Sequence, residues 1–136
     1  MIVVDASVLA TALADDGDHA RARLRGEVLA APELVDLEVP SVLRRLLLAG
    51  RLPARRAEQA LSDLVALPLQ RAPHQPLLPR CWSLRENITI YDASYVALAE
   101  YLKAVLVVCL NFDELLRGRP VRAGLSPGST RPTRST

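Results

Sequence analysis

Residues 92–110 read Asp92-Ala93-Ser94-Tyr95-Val96-Ala97-Leu98-Ala99-Glu100-Tyr101-Leu102-Lys103, then Ala104-Val105-Leu106-Val107-Val108-Cys109-Leu110. The first part is rich in helix formers and apolar at helical spacing. The second is a near-continuous apolar run with β-branched residues, the most strand-like stretch of the chain. Asp92 is expected to be the N-cap of the helix, a role that stabilises by about 1 kcal/mol. A periodic helix feeding directly into a doubly buried strand is the signature of a parallel sheet in an α/β fold.

The rest of the chain repeats that alternation. Ile2-Val3-Val4 is a short β-branched run that predicts a buried strand, with Asp5 at its carboxyl end. Residues 6–14 have helical composition, broken at Asp15-Asp16-Gly17-Asp18, and residues 19–25 predict a short basic helix ending at Gly26. Val28-Leu29-Ala30-Ala31 is a second strand candidate, closed by Pro32. Over 33–49, Leu34, Val35, Val39, Val42, Leu43 and Leu46 recur at helical spacing until Gly50. Pro53 opens another helix with Ala57, Ala60, Leu61, Leu64 and Val65 expected inside, closed by Pro68. A helix over 77–86 and a connector over 87–91 complete the list. The expected architecture is α/β, a three-layer sandwich with a central, mostly parallel sheet flanked by helices. One domain is expected over 1–117, followed by a disordered Arg-, Pro-, Ser- and Thr-rich tail over 118–136.

Composition narrows the function. The chain has 136 residues, enough for one core without disulfide staples, and half of them are hydrophobic. One Phe and one Trp make that core aliphatic. Of 17 basic residues all but Lys103 are Arg, and the formal charge is +2. Sequestering acids at a metal would leave the remaining surface more basic, which suits a polyanionic partner. Genomic base composition explains an Arg- and Ala-rich chain equally well. Cys81 and Cys109 lack metal-ligand spacing and read as reduced core residues. With no signal peptide and no apolar run of membrane-spanning length, a soluble cytoplasmic protein is expected, with no membrane partner.

Three acids sit where an α/β sheet binds its ligands, beyond the carboxyl ends of the strands, and Glu38 on the first long helix is a fourth candidate. Asp5 ends the first strand, Asp92 starts the helix before the last strand, and Asp113 follows that strand with Asn111 beside it. Glu38 lies in the apolar stretch Leu34-Val35-Asp36-Leu37-Glu38-Val39. Carboxylates gathered without a cation would repel and hold one another's protons. All-oxygen ligands without His or Cys favour Mg²⁺, with Mn²⁺ as the alternative, over zinc. Such ions suit phosphodiester hydrolysis. Each acid also has a plainer reading, as a helix cap for Asp92 or a solvated helix residue for Asp36 and Glu38.

The segment from Trp82 to Glu100 closely resembles the part of PIN-domain toxins of the VapC type that carries their third acid. Met1-Ile2-Val3-Val4-Asp5-Ala6-Ser7 resembles the family's first strand, and Leu34 to Val39 followed by Leu43-Arg44-Arg45-Leu46 resembles its Glu-bearing helix. The resemblance implies a Mg²⁺-dependent endoribonuclease toxin of a type II toxin–antitoxin system. It further implies an RNA substrate, a VapB-like antitoxin and a homodimer. Asp5, Glu38, Asp92 and Asp113 would then be catalytic, with Asp5, Asp92 and Asp113 on the metal. Ser7 and Asn111 would support the site, although Ser7 fits equally well as an ordinary N-terminal helix residue.

Three departures stand against the family pattern. Asn111-Phe112-Asp113 replaces the usual Thr- or Ser-x-Asp, Pro40 falls inside the Glu38 helix, and no final strand is visible in the tail. They motivate the alternative of a degenerate, non-catalytic PIN-like module that binds RNA or a protein. A receiver-like phosphoacceptor domain fits less well, because Lys103 lies on a helix rather than after a late strand. Arg44, Arg45, Arg51, Arg55 and Arg56 read as a solvated face more than an RNA contact. His19 and His74 read as surface residues, Tyr95 as packing, and Trp82 as a core or interface residue.

Overall fold

The structure is a computed structural model that describes residues 1–14, 22 and 24–108. Among the described residues four short strands form one sheet in the order β3-β2-β1-β4: β1 (Ile2–Val4), β2 (Leu29–Pro32), β3 (Leu69–Ala72) and β4 (Val105–Val107). Every pairing is parallel. Val3 stands opposite Ala30 on one side and Leu106 on the other, which places β1 at the centre. Val3, Val4 and all four residues of β2 are buried, as strands covered on both faces require.

The helices among the described residues are α1 (Ala6–Ala14), α2 (Val35–Leu48), α3 (Ala54–Ala66), α4 (Leu78–Ser83) and α5 (Ile90–Leu102), with a 3₁₀ turn over Gln75–Leu77. They flank the sheet. Helix α5 lies on β1, β2 and β4, and α4 packs on α5, while α1, α2 and α3 pack on one another. The core is aliphatic as expected, built on Val3, Val4, Leu9, Val35, Val39, Leu43 and Leu98. Removing such side chains from water is the main stabilising contribution, roughly 1.5–3 kcal/mol for each large one.

Local chemistry explains the element ends. Helix α5 closes in a Schellman turn: the Lys103 N–H donates to the Glu100 carbonyl and the Ala104 N–H to the Ala99 carbonyl, with Lys103 left-handed at φ 51°. That turn redirects the chain straight into β4. Gly50, at φ 69°, ends α2 in the same way. Helix α2 runs continuously through Pro40.

Several expectations need correction. The N-cap of α5 is Thr89, whose hydroxyl accepts the Asp92 N–H at 3.1 Å, so Asp92 sits in the first turn rather than before it. That placement follows the Thr-x-x-acid pattern of helix starts. Strand β3 went unrecognised, because Pro68 and Pro73 bracket it and Gln70 and Arg71 break its apolar pattern. Among the described residues it pairs only with β2, and edge strands tolerate such sequences. Leu61 and Val65 do not face inward: Val65 is 82% exposed. Trp82 is 63% exposed on α4, its ring 4.8 Å from the Arg85 guanidinium. The expected 77–86 helix keeps regular α form only over Leu78–Ser83.

Candidate active site

Residues from three elements meet at the carboxyl end of the sheet. Asp5 follows β1 directly, and its N–H donates to the Val107 carbonyl at 3.0 Å, tying it to the neighbouring strand β4. This is also where the strand order reverses, β2 and β3 lying on one side of β1 and β4 on the other. Crevices form at such reversals. Glu38 comes from the first turn of α2 and Asp92 from the first turn of α5. Both helix starts carry a positive dipole end that favours nearby carboxylates.

The electrostatics show that the three acids share one space. Burial pushes the Asp5 carboxyl above its ordinary range, against backbone N–H bonds from Ser7 and Ala6, and the Asp92 charge pushes it further up. Glu38 is pushed up to about 7, by burial first and then by the charges of Asp5 and Asp92. The Tyr95 phenol is also raised, by burial first and then by the charges of the same three carboxylates, against the backbone N–H of Ala6, and it stays protonated. It lies beside Glu38 and favours the charged carboxylate, yet neither Glu38 Oε1 nor Tyr95 Oη has a hydrogen bond of good geometry.

Ser7 reaches Asp5 through its backbone N–H, 3.4 Å from Oδ1, rather than through its hydroxyl. Asn111, Asp113, Cys109 and His19 lie outside the described residues. Among the described residues no three His, Cys, Asp or Glu side chains close into a ready metal cage. Asp5, Glu38 and Asp92 instead surround a gap. That suits Mg²⁺, which binds through one or two carboxylates and keeps much of its water. Asp5 and Glu38, raised by burial and then by neighbouring carboxylate charge, with Glu38 Oε1 unpaired, form with Asp92 a donor set that a divalent cation would satisfy.

Sequence reasoning placed Tyr95 correctly in the core, 3% exposed, but missed that its hydroxyl looks into the acidic gap. The available signal was its position one turn after Asp92, on the same helix face.

The family model of the PIN domain matches residues 2–117. The chain belongs to the PIN-domain family. Among PIN-domain proteins of the VapC type, it is 48% identical to Ribonuclease VapC9 of Mycobacterium tuberculosis over 107 residues, covering 79% of this chain and 84% of the relative. It is 42% identical to Ribonuclease VapC1 of the same organism, covering 87% of this chain and 90% of that one. Among solved structures, it resembles Mycobacterium tuberculosis VapC20, a sarcin-ricin loop cleaving toxin, with a TM-score of 0.56. That structure is 21% identical and covers 76% of this chain and 85% of its own, so the likeness concerns the PIN fold.

Proposed function

We propose that this PIN-domain protein is a Mg²⁺-dependent endoribonuclease, the toxin of a type II toxin–antitoxin pair. One observation carries the reading: Asp5, Glu38 and Asp92 come together from β1, α2 and α5, where burial first and then neighbouring carboxylate charge push Asp5 and Glu38 above their ordinary range. The ribonuclease names of its relatives supply the substrate class. The domain is proposed to span 1–117, with Asp113 as a further acid and Asn111 beside it.

In this reading Asp5 and Asp92 hold the cation, Asp113 assists, and Glu38 orients the attacking water. Mn²⁺ would substitute for Mg²⁺. The cation would polarise a phosphoryl oxygen and steady the leaving oxygen in line. Asp5 is fixed for its task by the Ser7 N–H and by its own bond to Val107. With the cation's charge beside it, Glu38 would be held as a carboxylate and could accept a proton from the attacking water. The partners of this reading are a VapB-like antitoxin, a second copy of the chain and RNA. No described helix is long and apolar enough to cross a membrane, and a cytoplasmic location fits the proposed substrate.

The test is cleavage of structured RNAs with Mg²⁺ and with EDTA, beside an Asp5→Ala control purified identically. Activity that needs both Mg²⁺ and Asp5 supports the nuclease. Folded, antitoxin-free protein that cuts nothing would favour the degenerate binding module.

A further inference from the structure

Two buried side-chain oxygens among the described residues have no hydrogen-bond partner, and both belong to the same gap: Glu38 Oε1 and Tyr95 Oη. An unpaired buried polar atom costs about 1–3 kcal/mol. A Phe ring would fill the same core space at position 95 without that cost, so packing accounts for the ring and not for the hydroxyl. The oxygen needs a reason of its own.

The surroundings supply one. Tyr95 is held by α5, one turn beyond Asp92, with its ring buried and its phenol acted on by Glu38, Asp5 and Asp92. A protonated phenol has one hydrogen to donate. Asp5 already accepts the Ser7 N–H, and Asp92 lies at the exposed rim. Glu38 is the acid that lacks a donor, and it adjoins the phenol. We propose that Tyr95 is a positioning residue: its phenol donates to Glu38 Oε1 when a divalent cation occupies the gap, leaving Oε2 free for the reacting centre. The phenol already acts on the Glu38 carboxylate, favouring its charged form. This inference rests on the metal-site reading above and deepens it.

Tyr95→Phe removes one oxygen and keeps the ring. The metal-free variant should melt at the wild-type temperature or above it, because an unpaired buried hydroxyl is gone. Its Mn²⁺ affinity, read by electron paramagnetic resonance of the free ion, should fall on the order of 10-fold, because a hydrogen bond to a carboxylate made when the cation is bound adds to the cation's affinity. In cleavage assays kcat should fall with KM for RNA unchanged. The decisive arm is the double variant. If Tyr95 acts through Glu38, then Tyr95→Phe changes Mn²⁺ affinity no further once Glu38→Gln is present. Wild-type Mn²⁺ affinity in Tyr95→Phe would overturn the proposal, as would an equal loss in both backgrounds. A lowered melting temperature with unchanged Mn²⁺ affinity would assign the hydroxyl a purely structural role. Folded wild-type protein that binds no Mn²⁺ would defeat the metal-site reading itself, and this inference with it.

Discussion

Asp36 and Glu38 stand two residues apart on α2 and have opposite fates. Successive even positions on a helix point to different sides. Asp36 turns to the edge of the sheet, where Arg71 Nε of β3 lies 2.9 and 2.7 Å from its two oxygens. The same guanidinium donates to the Leu64 carbonyl at 3.0 Å and the Leu69 carbonyl at 3.3 Å, lashing α2, α3 and β3 together. Glu38 turns instead toward Asp5 and Asp92, where burial first and then their charges push its proton affinity up. One acid has a cation built into the fold, while among the described residues the other is acted on by acids and a phenol. An acid kept for structure is neutralised by the chain itself, while an acid kept for chemistry is left for something from outside.

The sharpest way to break that contrast is at the gap. Asp5→Ala should lower RNA cleavage on the order of 10³-fold, because several kcal/mol of charge stabilisation at the phosphate would go with the cation. Retained cleavage in an Mg²⁺-supplemented assay would end the contrast. At the other pole, Arg71→Ala should cost about 2 kcal/mol in urea unfolding. Most of that comes from its two carbonyl bonds, at about 1 kcal/mol each. The ion pair, with side chains 26% and 42% exposed, adds little. Mn²⁺ affinity should stay at the wild-type level in this variant, since the clamp and the gap use different faces of α2.

The difference in pH-dependent metal-free stability between wild type and Glu38→Gln reports on the gap. Glu38 has a folded-state pKa of about 7 against an ordinary value of 4.5, and Asp5 is raised as well. A raised carboxyl favours the fold while protonated, so its contribution is complete below pH 4.5 and is lost as pH climbs through 7. In EDTA, stability should therefore fall by about 1 kcal/mol across that window, a figure reduced for the partial solvent exposure of Glu38. Glu38→Gln should flatten the slope, and saturating Mg²⁺ should restore stability at the alkaline end. A flat profile in wild-type protein with EDTA would mean that the acids do not share a space.

The same contrast explains what was legible in the sequence. The gap was readable because its acids sit at element boundaries, Asp5 at the end of an apolar run and Asp92 at the start of a periodic helix. Boundaries carry local signals. The clamp was unreadable because its two halves are 35 residues apart in sequence and β3 has too few apolar residues to declare itself. Asp36 therefore looked like a solvated acid. The exposure of Trp82 was hidden for a related reason: α4 is too short to show which of its faces meets α5. Cys81, its neighbour, takes the buried place. Tyr95 was legible as a ring and illegible as a hydroxyl, since only the fold brings Glu38 beside it.

The smallest effect is expected where the two regions are joined. His74, read from the sequence as a surface residue, is half-buried after β3 and accepts the Leu34 N–H on Nε2 at 2.9 Å. Leu34 is the cap of α2, so this bond fastens the strand edge to the start of the helix that carries both Asp36 and Glu38. Accepting on Nε2 requires a neutral ring with its hydrogen on Nδ1, because an imidazolium has no acceptor. His74→Ala frees an N–H that water can reach at the helix start, so the loss in urea unfolding should be about 0.5 kcal/mol. Cleavage should change far less than in Asp5→Ala, since Glu38 is also held by its own bond to the Leu34 carbonyl at 3.0 Å. If His74→Ala instead cut activity as deeply as Asp5→Ala while stability barely moved, clamp and gap would be one coupled unit, and the division between Asp36 and Glu38 would need redrawing.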